Sequence, residues 1–200
     1  MKHINRLVIT GALLLAFALA GCASSKNTPS PAETAVKTKL SATINHSFDI
    51  TWNTLIDYTL SSVFTIVNFN KSAGVITLSF GDSNAAAYIN CGPFNATSAG
   101  VNYSGPYSSF LEQHAGAKLQ GKMKVFVTEL GPKQTLVKVN AQYLFNAPLT
   151  TPAEWAFHSG FSATVALTKE QKAAGGPQTR TCQPTYKAEN AIMQAIKPLY

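Results

Sequence analysis

The most regular alternation of apolar and polar residues runs from Thr135 to Phe145. Val137, Val139, Ala141, Tyr143 and Phe145 fall on one face, and Lys138, Asn140 and Gln142 on the other. A period of two marks a half-buried strand. Lys122 to Leu130 alternates in the same way, with Met123, Val125 and Val127 on one face. Gly131-Pro132-Lys133-Gln134 supplies the turn between the two. Nearer the start, Ala42, Ile44, His46 and Phe48 alternate with polar neighbours and predict another strand. The period then changes. Trp52, Leu55, Ile56, Thr59, Leu60 and Val63 share one stripe at helical spacing, opposite Asn53, Asp57 and Ser61. This predicts a helix over about residues 50–63, capped by Asp49 or Thr51. Phe64 to Asn70 and Val75 to Phe80 predict a hairpin around Asn70-Lys71-Ser72-Ala73-Gly74.

Residues 81–117 are dominated by Gly, Ser, Asn, Ala and Pro, with aromatics spaced among them. Tyr88 to Cys91 predicts a short strand, and Phe94 to Ser109 a long surface loop. Pro148 and Pro152 end the strand that begins at Thr135. The aromatic-rich stretch Trp155–Phe161 predicts one helical turn, Ala163, Val165 and Leu167 a short strand, and Lys169 to Thr179 a polar loop. Ala188, Ile192, Ile196 and Leu199 form the apolar stripe of a last helix over about residues 185–197. Glu189 stands near its favourable N-terminal end. The order is β-α-β-β, loop, β-β, excursion, α. Its short hairpin connections favour an α+β fold with an antiparallel sheet of four to six strands and two helices on the apolar face of that sheet.

The chain begins with a different pattern. A basic end (Lys2, His3, Arg6) precedes an apolar run of 14 residues from Leu7 to Ala20. That run is too short to span a hydrocarbon core of roughly 30 Å comfortably. Leu19-Ala20-Gly21-Cys22 then places a cysteine directly after small residues. A positive start, a short apolar run and small residues at the cut make residues 1–21 a secretory signal. From Cys22 to residue 40 the chain is Ser, Thr, Asn, Pro, Ala and Lys with little apolar content, which reads as a flexible tether. Residues 41–200 then supply one domain, long enough to bury roughly 70% of its unfolded surface.

The segment Leu19–Cys22 resembles the lipobox of bacterial lipoproteins. The resemblance covers the first 22 residues and implies a thioether-linked diacylglycerol and an acylated amine on Cys22. Two or more acyl chains hold a protein stably to a bilayer, whereas one does so only marginally. Ala23, rather than Asp, after the cysteine implies sorting to the outer membrane, with the domain on its periplasmic face. The element order over Ser41–Phe80, Lys118–Phe145 and the last helix resembles helix-grip domains, especially those of the C-subunit lipoprotein of the outer-membrane β-barrel assembly machine. Phe48-Asp49-Ile50-Thr51-Trp52 and Gly74-Val75-Ile76-Thr77 are the most similar segments. The long 81–117 insertion departs from that subunit. Cys91-Gly92 with Cys182 and a Glu189-bearing helix is also similar to small proteobacterial lipoproteins of unassigned function.

Assigning Cys22 to lipid leaves Cys91 and Cys182, an even pair in an oxidising compartment. We expect a disulfide, with two buried thiols as the alternative. A bond closing a loop of about 90 residues contributes up to ~4–5 kcal/mol on chain-entropy grounds.

Charge narrows the partners. Removing the signal lowers the basic residues from 16 to 14 against 9 acids, a net of +5. Lys118, Lys122 and Lys124 are the densest set. They fit a solvated strand face better than a polybasic lipid site, which usually takes about 4–8 clustered charges. A secreted chain without a basic stripe interleaved with aromatics gives no sign of nucleic-acid binding.

No constellation for catalysis is visible. His46 falls on an apolar face and reads as a core histidine. The sequence contains no His-x-x-x-His, Cys-x-x-Cys or carboxylate cluster for a metal, no Gly-x-Ser-x-Gly elbow and no phosphate loop. We therefore expect a non-enzyme that needs no cofactor beyond its lipid. Two functions remain. In one, the domain binds another periplasmic or outer-membrane protein as an assembly or structural module. In the other, Trp52, Phe64, Tyr143 and Trp155 line a pocket between helix and sheet that carries a lipid or other apolar ligand.

Overall fold

The computed structural model describes residues 39–81, 84–98, 101–166 and 179–199. The expected signal, Cys22, the tether up to residue 38, Leu167 and the expected loop from Lys169 to residue 178 lie outside them. The described chain is α+β, with antiparallel strand pairs and three helices.

Its largest sheet has six strands. β7 (Lys118–Gly131) and β8 (Gln134–Ala147) form a hairpin of two 14-residue strands. β3 (Val75–Phe80) pairs with β7, and β2 (Thr65–Asn70) pairs with β3 as an edge among the described strands. β8 is long enough to take two partners in succession. β1 (Ser41–Ile44) lies against its first part, and β9 (Ala153–His158) against its last. The register Gln142↔His158, Leu144↔Ala156 and Asn146↔Glu154 continues the alternation of β8 into β9.

Alternation separates the two faces. Ile76, Leu78, Phe80, Leu119, Met123, Val125, Val137, Val139, Phe145 and Trp155 are all buried in one core. Gly121 belongs to that face because a Cβ there would strike the Phe80 ring. α1 (Phe48–Leu60) adds Trp52 and Leu55 to the same core. α3 (Lys187–Ala195) adds Ala188 and Ile192, and Ile196 follows from its C-terminal end.

Several expectations are corrected. The first helix begins after Ser47, so Asp49 lies in its first turn, where its carboxylate pairs with Lys71 at 2.8 Å, and neither Asp49 nor Thr51 is the cap. The helix ends at Leu60, and both Leu60 and Val63 are 73% exposed instead of completing the apolar stripe. The first strand stops at Ile44, and His46 is half-buried beyond it. Ala153–His158 is a strand, not a helical turn: Ala153, Trp155 and Phe157 point inward at a period of two. The stretch expected as a long loop is ordered into β5 (Pro93–Ser98), β6 (Val101–Pro106) and α2 (Tyr107–Ala115). Two smaller sheets accompany the large one. β5 pairs with β6, and β11 (Thr179–Pro184) lies between β10 (Ala163–Ala166) and β4 (Ile89–Asn90).

A disulfide joins Cys91, just past β4, to Cys182 in β11, with Cα atoms 4.1 Å apart. Nearby, the Arg180 guanidinium lies over the Tyr107 ring at 4.5 Å and the Phe94 ring at 5.4 Å, and its Nη1 donates to the Pro93 carbonyl at 2.9 Å. Tyr107 meets Trp155 edge-on, which joins this aromatic group to the main core. Packing therefore supplies the order that local composition does not suggest.

Candidate functional site

The four aromatics expected to line a pocket are core residues. Trp52 stacks on Phe48 and meets Phe69 edge-on. Phe64 packs on Phe80, and Phe80 on Tyr143. Trp155 packs on Phe145, and its indole N–H donates to the Arg180 carbonyl at 3.0 Å. All four are buried. Two open cavities lie on the described surface; Tyr143 borders the larger, and Trp52, Phe64 and Trp155 border neither.

Tyr143 takes part in the most polar feature of the interior. Its hydroxyl donates to Glu189 Oε2 at 2.6 Å, and Ser159 Oγ donates to Glu189 Oε1 at 2.7 Å. Glu189 is fully buried in the first turn of α3. A buried carboxyl group is tolerated only where its oxygens have partners, and here both accept from hydroxyls. The helix N-terminus adds favourable electrostatics. Burial, and then the neighbouring Glu189, push the Tyr143 hydroxyl well above the ordinary tyrosine value. It is therefore a neutral donor at any ordinary pH. Ser159 also accepts from the Ala141 N–H at 2.8 Å. Each of these groups is engaged, so the arrangement ties α3 to β8 and to the end of β9 and leaves no free nucleophile. Sequence reasoning placed Glu189 at a helix start but missed its partners, which lie 46 and 30 residues away.

Two surfaces outside the core stand out. The first is the edge strand β2 with its approach. Val67 and Phe69 are 56% and 57% exposed, and Leu60 and Val63 lie on the segment that leads into the strand. The strand Thr65–Asn70 has no charged residue or proline, and its one irregularity is a bulge at Val67. The second is the exposed face of the large sheet. Lys118, Lys122 and Lys124 project from β7 and Lys138 from β8, among Gln120, Asn140 and Gln142. The two cavities lie on this face, with volumes of about 440 Å³ and 250 Å³.

Cys22 lies outside the described residues. Among the described residues no group of three or more His, Cys, Asp or Glu is placed to hold a metal ion. No described helix is long and apolar enough to cross a membrane. Comparison of the chain with known protein families and with curated proteins finds no match.

Proposed function

We propose that this chain is a lipoprotein anchored through Cys22 to the periplasmic face of the outer membrane, where its folded domain binds an envelope protein without catalysing a reaction. The lipobox-like segment Leu19–Cys22 supports the anchor. The six-stranded sheet, with α1 and α3 contributing to its buried side, fits a helix-grip-like domain similar to those of the C-subunit lipoprotein of the barrel-assembly machine.

The observation that carries the binding role is β2. An edge strand offers unpaired N–H and C=O groups, and proteins usually guard such edges with charge, proline or a cover. Here the strand itself has neither charge nor proline, and Leu60, Val63, Val67 and Phe69 place apolar surface along it and at its approach. This suits addition of a partner strand, with backbone bonds for affinity and apolar side chains for selection. The carrier reading has less support, because Trp52, Phe64, Tyr143 and Trp155 fill the core.

Two experiments test this. A photoreactive residue at position 67 should give one discrete protein adduct in intact cells, weakened by Phe69→Lys. No adduct beyond that from a control at Asp57, on the outward side of α1, would overturn the binding surface. Cys22→Ser should release the protein from membranes. Full retention after a carbonate wash would overturn the anchor.

A further inference from the structure

The exposed sheet face carries charge that the described chain does not neutralise. Lys122 lies between Ser79 and Gln142 in register, Lys124 between Thr77 and Asn140, and Lys138 between Phe126 and Ser41. None of these neighbours is acidic. Among the described residues the ion pair is Lys71–Asp49, at the start of α1. The described acid on this face is Glu154, set beside Asn146 near the end of the sheet where Lys118 lies.

The same face is hollowed. The larger cavity is lined by Gln120, Lys122, Gln142, Leu144, Ala156 and His158, among others. The smaller is lined by Thr77, Lys122, Lys124, Phe126, Asn140 and Gln142. Lys122 and Gln142, a cross-strand pair, border both, so the two hollows adjoin and together make a trough across β3, β7, β8 and β9. Four strands about 4.8 Å apart give the trough a length on the order of 14 Å.

We propose that this trough binds a short stretch of an acidic glycan, a sugar chain bearing carboxylate or phosphate groups. Lys122 and Lys124, which line the trough, meet the anionic groups. The side-chain amides of Gln120, Asn140 and Gln142 each donate and accept, which matches sugar hydroxyls. Leu144, Ala156 and Phe126 offer the apolar patches on which the C–H faces of sugar rings rest. A docked bilayer would instead favour protruding apolar or aromatic anchors at the centre of the face. This centre is concave and lined with amides. The proposal is independent of the anchor and of the β2 surface.

The test is calorimetric titration of the purified full chain, in zwitterionic detergent, with tetragalacturonate. Cellotetraose serves as the neutral control and glycerol 1-phosphate, a soluble phospholipid headgroup, as the membrane control. We expect binding of tetragalacturonate that weakens at least tenfold as salt is raised, and no detectable binding of cellotetraose. Lys122→Gln with Lys124→Gln should weaken binding at least tenfold with an unchanged melt. Gln142→Ala should weaken it several-fold while keeping the salt dependence. No heat with tetragalacturonate, equal affinity in the lysine variant, or binding of glycerol 1-phosphate without tetragalacturonate would each overturn the proposal.

Discussion

The two faces of the large sheet are written by the same strands and do opposite work. Along β7 every inward residue from Leu119 to Val127 is buried, and every outward residue from Lys118 to Phe126 is exposed. On the buried face the carboxylate of Glu189 has hydroxyl donors on both oxygens. On the exposed face Lys122, Lys124 and Lys138 have no acidic cross-strand neighbour. The difference follows from solvation. A polar group taken out of water needs partners inside the protein, whereas an exposed charge is solvated by water. The buried face therefore holds the fold together. The exposed face is available for an outside ligand.

The comparison is broken most severely by Trp155→Ala. The ring is fully buried between Phe145 and Tyr107, and its loss should cost ~3–5 kcal/mol in a denaturant titration. A loss below about 1 kcal/mol would mean that the site collapses to fill the space.

Next comes Glu189→Gln. The amide keeps one acceptor but turns a second donor toward a hydroxyl, so we expect a loss of about 1–3 kcal/mol. Hydrogen exchange should show α3 loosening before the β7–β8 hairpin.

Tyr143→Phe removes one hydrogen bond, worth about 1 kcal/mol at neutral pH. It should also change the alkaline response. The folded value of Tyr143 is raised, so its contribution is complete below the unfolded tyrosine value of about 10 and declines as pH rises above it, where the unfolded chain releases a proton that the folded chain retains. Stability measured from pH 8 to 11 should fall less steeply in Tyr143→Phe than in the parent. Tyr88 and Tyr107, also raised by burial, contribute to the slope that remains. Parallel curves would show that Tyr143 ionises equally in both states.

The smallest stability effect belongs to the exposed face. Lys122→Gln with Lys124→Gln should change stability by no more than about 0.5 kcal/mol. A larger change in a thermal melt would show that these lysines serve the fold and would erase the contrast between the faces.

Much of the fold can be read from short windows. The hairpins β2–β3 and β7–β8 follow from alternation and turn residues, and α1 and α3 from helical stripes. The errors have particular causes. Trp155 and Phe157 alternate over only six residues, too few to separate a strand from a helical turn rich in aromatics. Pro93–Ala115 contains the Gly, Ser and Asn of a loop, yet its order rests on aromatic packing with Arg180, far away in sequence. Leu60 and Val63 match the apolar stripe of α1, but Leu60 is its last residue and Val63 lies past its end, and both stay exposed. The same two residues then become part of the surface beside β2.

Composition and periodicity by themselves determined the α+β class, the central hairpins, two of the three described α-helices and the position of Lys122 and Lys124 on the polar side of a strand. These are local properties: a side chain's face follows from a repeat of two or 3.6 residues. Tertiary structure alone decided that Glu189 meets Tyr143 and Ser159, that the four aromatics fill a core, that β2 stands at an edge, and that Lys122 and Gln142 share a trough across four strands. Each of these depends on which distant segments become neighbours. No local repeat encodes that choice, because it is made by burial and pairing across the whole domain.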